Sequence, residues 1–328
     1  MPDKAFIKKI EADGKVIENI KREVAKAVVG QDAVIDSLIT AIIANGNVLL
    51  EGVPGIAKTL IVRTFSKVMG CSFSRIQFTP DLLPTDITGI TAYDEKKGFY
   101  VVKGPIFANF ILADEINRAP PKVQSVLLES MQEKQVTIGK ETFVLKPPFF
   151  ILATQNPIES LGTYPLPEAQ VDRFLFKLFI DYPSEESEQL ILNQNISIHE
   201  FGHFKLNPIV NGRKILELQQ HAKGIFVDPK IEKYIVNIVT ATRKSDKFGI
   251  KLGKYIEWGS SPRASIGLYI AAKARALQEG KHFATPHNVK QVAVDVLRHR
   301  VLLNYEGQSE NITPDMVIKE ILDKVPIP

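Results

Sequence analysis

At 328 residues the chain has room for about two domains, each with its own core. Hydrophobic residues at 45% and charged residues at 24% are ordinary globular values, and a net charge of +4 demands neither nucleic acid nor a membrane surface. Cys71 is the single cysteine, which excludes an internal disulfide and, with no secretory segment at the N-terminus, leads us to expect a cytoplasmic protein.

In chain order, residues 15–45 read as two amphipathic helices broken at Val28-Val29-Gly30-Gln31. The longest apolar stretch there, Leu38 to Ala44, is far too short to span a bilayer. Strands are expected at 47–51, 73–78, 110–114, 149–154 and 174–180, with helices between several of them. That alternation is the signature of an α/β domain built on a parallel sheet. Two hairpins interrupt it, one at 88–103 turning at Asp94-Glu95-Lys96-Lys97-Gly98, the other at 135–146 around Gly139-Lys140. After Tyr182-Pro183 strand signals stop, and helical patterns run through 184–194, 210–222, 229–243, 262–279, 286–303 and 314–324. The expected division is an α/β core over 1–183, a linker over 184–205 and an all-α domain over 206–328.

The first chemistry-bearing motif is Gly52-Val53-Pro54-Gly55-Ile56-Ala57-Lys58-Thr59, followed in the same helix by Leu60. It lies between the apolar Val48-Leu49-Leu50 and a helical pattern carrying Ile61, Phe65 and Val68. Strand, glycine-bearing turn, Lys-Thr and helix are the layout of a phosphate-binding loop: backbone N–H groups and the helix dipole meet the anion. Lys58 is expected to reach the terminal phosphates and Thr59 to bind Mg²⁺. Ala57 stands where the usual pattern has glycine, so it must take an ordinary helical conformation. The competing reading of this stretch is a Gly-Pro turn before an unrelated helix.

The second is Asp114-Glu115, closing the buried run Phe110-Ile111-Leu112-Ala113. Carboxylates at that end of a parallel strand lie where ligands bind in open α/β sheets. Asp114 is assigned to the metal shell and Glu115 to the attacking water, as phosphoanhydride hydrolysis requires. The competing reading is an acidic cap for the next helix. A rival motif is His199-Glu200-Phe201-Gly202-His203, which fits the H-E-x-x-H pattern of zinc metalloproteases, with Glu217 or His221 as a conceivable third ligand. Its flanks and Gly202 are poor helix formers, so a solvated linker is the stronger reading.

With these motifs in this order, residues 15–305 resemble the MoxR family of AAA+ ATPases. The resemblance implies an AAA+ parallel-sheet nucleotide-binding core with a C-terminal all-α lid, binding ATP and Mg²⁺. It implies that Asn156, in Thr154-Gln155-Asn156-Pro157, contacts the γ-phosphate or the water. In Glu168-Ala169-Gln170-Val171-Asp172-Arg173-Phe174 it makes Arg173 an arginine finger reaching a neighbouring subunit. In Gly259-Ser260-Ser261-Pro262-Arg263-Ala264-Ser265, Ser261 caps a helix and Arg263 faces back toward the nucleotide. Val28, Val29 and Gly30 would line the adenine. Asp81-Leu82-Leu83-Pro84-Thr85-Asp86 and the 135–146 hairpin match this clade's two inserts. The activity implied is ATP-driven, chaperone-like remodelling, maturation or metal insertion in a homo-oligomeric ring, with hexamers expected. The client would be a protein, such as one with a von Willebrand factor A domain. A nucleic-acid motor and a non-hydrolysing nucleotide switch are the alternatives. Lys96, Lys97 and Lys140 sit beside Asp94, Glu95 and Glu141, which makes a weak footprint for nucleic acid.

Overall fold

The computed structural model describes residues 3–52, 58–96, 98–156, 162–194 and 201–328. Helix α1 (Lys4–Val24) starts well before residue 15, capped by the Asp3 side chain on the Ala5 N–H. Ile10, Ile17, Ile20 and Val24 form its buried stripe. Helix α2 (Asp32–Ile43) follows after Gly30, whose φ of 74° suits a residue without a side chain.

Strands β1 (Val48–Gly52), β2 (Phe73–Gln77), β5 (Phe110–Asp114), β8 (Phe150–Gln155) and β9 (Phe176–Ile180) form one parallel sheet in the order β2-β5-β8-β1-β9. Its interior strands are buried on both faces, hence their unbroken apolar runs. Leu50, Leu112 and Leu152 pack to one side with α1, α2 and α3 (Lys58–Val68). Leu49, Ile111 and Ile151 pack to the other with α5 (Pro121–Glu133) and the short α4 (Pro84–Thr88). The two expected hairpins are present: β3 (Gly89–Asp94) with β4 (Gly98–Lys103), and β6 (Gln135–Ile138) with β7 (Glu141–Val144). A single turn, α6 (Glu168–Val171), precedes β9.

The C-terminal part consists of α7 (Glu185–Gln194), α8 (Gly212–Gly224), α9 (Pro229–Ala241), α10 (Pro262–Gln278), α11 (Pro286–Leu297), α12 (Tyr305–Ser309) and α13 (Pro314–Lys324). It also contains a small antiparallel ribbon that the sequence did not suggest, β10 (Ile256–Trp258) with β11 (Leu302–Leu303). The helix expected over 286–303 therefore stops at Leu297, and Val301 turns inward to lead into β11. Strands of two and three residues carry no readable period. Helix α10 is central: its buried Ala264, Ala271, Ala272, Ala274 and Ala276 let neighbouring helices come close. Gly14 of α1 is so near Gly280, just past α10, that a Cβ there would lie 2.8 Å from the Gly280 Cα. Among the described residues, no helix is long and apolar enough to cross a membrane.

Candidate nucleotide site

Val53 to Ala57 of the phosphate-loop motif lie outside the described residues, but both ends of the loop are placed. Gly52 closes β1 with its Cα against Ile180. A Cβ at Gly52 would lie 2.5 Å from the Ile180 carbonyl oxygen, so only glycine fits. Lys58 and Thr59 open α3, with Leu60 behind them, and the Lys58 Nζ donates to the Gly52 carbonyl at 2.7 Å. Burial pushes the Lys58 ammonium below the usual lysine value, and the charges of Asp114, Glu115 and Glu51 offset part of that shift. The lysine thus faces the two carboxylates across the C-terminal edge of the sheet.

Asp114 is buried at the end of β5. Its Oδ1 accepts from the Thr154 hydroxyl at 2.7 Å, and its Oδ2 accepts from the Arg75 Nε and Nη2 at 3.1 and 2.6 Å. Glu115 has φ 58° and ψ 50°, the left-handed region that costs a non-glycine residue about 1–3 kcal/mol. Its N–H donates to the same Thr154 hydroxyl oxygen at 2.8 Å, and its Oε2 accepts from Gln77 at 2.9 Å and Arg118 at 3.1 Å. The bend turns the Glu115 side chain off the strand line. Glu115 does not cap α5, whose N-cap is Pro120; it stands at the start of a separate 3-10 turn over Ile116–Arg118, without a side-chain capping bond. Asn156 follows β8 and is buried.

A carboxylate and a hydroxyl are hard oxygen donors of the kind Mg²⁺ takes. Each Asp114 oxygen already meets a donor of this chain, while a carboxylate has about four lone-pair positions. Asp114 therefore keeps lone-pair positions with which it would help to hold such an ion, and the Thr59 hydroxyl at the start of α3 would be a second oxygen for it.

Val28, buried, and the partly buried Val29 precede Gly30 on the same edge of the sheet. Gln31 donates to the Asp181 carbonyl at 3.1 Å, one residue beyond the Ile180 that pairs with Gly52. A Cβ on Gly30 would approach the Ser187 Cβ to 2.6 Å, so this stretch is pressed against α7.

Arg173 and Arg263 are elsewhere. Both line a cleft of about 300 Å³ with Asn47, Asp172 and Leu175. The Leu175 N–H donates to the Asn47 carbonyl, and Asn47 precedes β1, so this cleft is at the N-terminal edge of the sheet. The phosphate loop leaves the other end of β1, about five residues or roughly 16 Å along the strand. Arg263 therefore does not face back toward this chain's own phosphate loop, as the sequence led us to expect. Ser261 does cap α10, accepting from the Arg263 N–H at 3.2 Å, and Arg263 points instead to Asp172 at 3.8 Å. Helix α10 is packed among α1, α8 and α11 in a way that only the folded chain fixes.

Sequence reasoning missed Arg75, Gln77, Arg118 and Arg300, and gave Thr154 no role. Arg75 and Gln77 sit two apart on β2, a spacing that puts both on one face, which was the available signal. Arg300 is buried and donates to Asp172 Oδ1 at 2.6 Å and to the carbonyls of Asp172, Phe174 and Leu175. Of the rival zinc motif, His199 and Glu200 lie outside the described residues. His203 stands in a 3-10 turn (Phe201–Phe204), and His221 Nδ1 is 2.5 Å from Asp13. No cluster of three or more metal-ligating side chains occurs among the described residues.

A model of the ATPase family associated with various cellular activities (AAA) matches residues 47–176, and one of the AAA lid domain matches residues 253–321. The chain is 45% identical over 322 residues to Chaperone MoxR1 of Mycobacterium tuberculosis, covering 97% of this chain and 84% of that protein. It is 32% identical to Protein MoxR of Methylorubrum extorquens, covering 94% of each. The crystal structure of a candidate ATPase from Cytophaga hutchinsonii superposes with a TM-score of 0.91 at 47% identity, covering 98% of this chain and 97% of that one.

Proposed function

The chain belongs to the MoxR family of AAA+ ATPases, and from that premise we propose that it hydrolyses ATP with Mg²⁺ at a site shared between subunits of a cytoplasmic, hexameric ring, to remodel or mature a partner protein. The observation that carries this reading is the separation of the site's two halves. Lys58, Asp114 and Glu115 gather at the C-terminal edge of the sheet, Arg173 and Arg263 at the N-terminal edge. One chain cannot bring both to the same phosphate without refolding. Two chains placed edge to edge can.

In this reading Gly52 to Leu60 hold the triphosphate, and Val28, Val29 and Gly30 line the adenine. Thr59, and Asp114 through water, hold Mg²⁺, which when bound neutralises charge on the phosphates. Glu115 and Asn156 orient the attacking water, with Glu115 accepting its proton. Arg173 and Arg263 come from the adjacent subunit and stabilise charge developing on the transferred phosphoryl oxygens. Arginine fingers are worth about 10³–10⁵ in rate in well-studied systems.

The exposed hairpins favour a protein client, such as one with a von Willebrand factor A domain, over nucleic acid. Phe99 is 78% exposed and packs against Tyr93 as a tilted ring pair with centroids 5.1 Å apart, and Val144 on the second hairpin is 74% exposed. Apolar side chains of this kind suit protein surfaces, whereas a nucleic-acid motor needs cations there. Steady-state hydrolysis per subunit should rise with protein concentration and fall at least a hundredfold in Arg173→Ala, with nucleotide affinity retained. Glu115→Gln should bind ATP without turning it over. A flat rate that Arg173→Ala leaves unchanged removes the shared site.

A further inference from the structure

The cleft that holds Arg173 and Arg263 has a third basic side chain that neither the motifs nor the family resemblance singled out. Lys134 lines it, at the end of α5 where the chain enters the β6–β7 hairpin. Two local costs fall on this one residue. Its backbone is left-handed, φ 53° and ψ 30°, at a helix end where glycine or asparagine is the usual occupant. Its ammonium is buried 5.0 Å from the Phe149 ring centroid and meets no hydrogen-bond acceptor among the described residues. An ammonium carries three donors, and a Phe ring satisfies none of them as an oxygen would. Burial pushes this amine down to about 8. A residue held against both backbone and solvation preference, in a cleft, is where function is to be sought.

The cleft's charge says what it takes. Lys134, Arg173, Arg263 and Arg300 set four cations against the single carboxylate Asp172, and Asp172 is already engaged by Arg300 and Arg263. An anion rich in acceptor oxygens fits this imbalance. The main chain at Lys134 is also fixed: its N–H donates to the Ser130 carbonyl and its carbonyl accepts from the Leu145 N–H, closing the hairpin base.

We propose that Lys134 is a third contact, beside Arg173 and Arg263, to the terminal phosphates of the nucleoside triphosphate bound by the neighbouring subunit. The inference rests on the shared-site reading above and adds a residue to it. In the isolated chain the ammonium is stored against Phe149, and in the ring it exchanges that contact for phosphate oxygens.

The test uses Lys134→Met, which keeps the length and packing of the stem, and Lys134→Arg, which keeps the charge. Lys134→Met should lower kcat at least tenfold, leave ATP affinity of the dilute subunit within about twofold and unfold at the wild-type urea concentration. Lys134→Arg should recover most of the rate. Mixing Lys134→Met with Glu115→Gln subunits should restore part of the hydrolysis, because the intact glutamate of a Lys134→Met subunit meets an intact basic cleft wherever a Glu115→Gln subunit is the neighbour that supplies it. Wild-type turnover in Lys134→Met overturns the inference. So does a loss that Glu115→Gln subunits do not rescue while they do rescue Arg173→Ala, for Lys134 would then act within its own chain. If Arg173→Ala itself turns over normally, the shared-site reading fails first and takes this inference with it.

Discussion

Thr154 is the residue on which the two site carboxylates depend. One hydroxyl donates to Asp114 and accepts the N–H of Glu115, so it fixes the first and holds the second in its left-handed backbone. Thr154→Val should therefore lower turnover at least tenfold and cost about 1–3 kcal/mol in urea unfolding, by leaving a buried N–H and a carboxylate oxygen without this partner. Thr154→Ser should keep both; wild-type turnover in the valine variant would show that the carboxylates are held by other means. His299 gives a prediction in pH. It is buried with Nε2 against the Phe174 carbonyl at 3.1 Å, and burial, with the Arg300 charge, pushes it well below the usual histidine range. The unfolded chain protonates this imidazole near 6.5 and the folded chain does so only at lower pH. Stability from this group is thus complete above about 6.5 and lost as pH falls below it, by up to about 1.4 kcal/mol per unit. Urea midpoints measured between pH 7 and 5 should fall less steeply in His299→Gln than in the wild type.

Among elements, the segment from α6 into β9 is held by the turn after α11. The Arg300 guanidinium bridges the Asp172 carboxylate and the carbonyls of Asp172, Phe174 and Leu175, and it also donates to the Val296 carbonyl. Arg298 beside it donates to Asp315 with two nitrogens and to the Lys177 carbonyl. These bonds fasten the chain's helical part to the N-terminal edge of the sheet, where Arg173 lies. Arg300→Met should cost about 3–5 kcal/mol in urea unfolding, the range for breaking a buried ion pair by removing one partner. A change below 1 kcal/mol would mean that the bridge is replaced by water at no loss. Turnover should fall as well, because Arg173 sits next to the loosened Asp172.

At the scale of the whole molecule, the separation of the two site halves is a property of the parallel sheet. Parallel strands put every β-to-α turn on one edge and every α-to-β turn on the other, so Lys58 and Arg173 could not share an edge. In the shared-site reading proposed above an assembly joins them, and sedimentation with a non-hydrolysable ATP analogue should then give a mass several times the 36.6 kDa subunit. Much of this was legible in the chain. Apolar runs gave the three interior strands β1, β5 and β8, because a strand buried on both faces has no polar alternation to hide it, while the edge strands β2 and β9 carry polar residues such as Arg75 and Lys177 among their apolar ones. That Gly52, Lys58, Asp114 and Glu115 gather at one edge of the sheet was legible because each ends an apolar strand or directly follows one along the chain. Arg75, Gln77, Thr154 and Arg300 were not, because each works through a partner 38 to 128 positions away in the sequence, as Gln77 with Glu115 and Arg300 with Asp172. Local sequence thus determined most of the elements and the residue types gathered at the C-terminal edge of the sheet, since both are written in spacing and residue type. Which edge Arg263 occupies, what holds Glu115 in place and where Lys134 is stored were decided by tertiary packing alone, because burial and long-range hydrogen bonds exist only once the strands and helices have met.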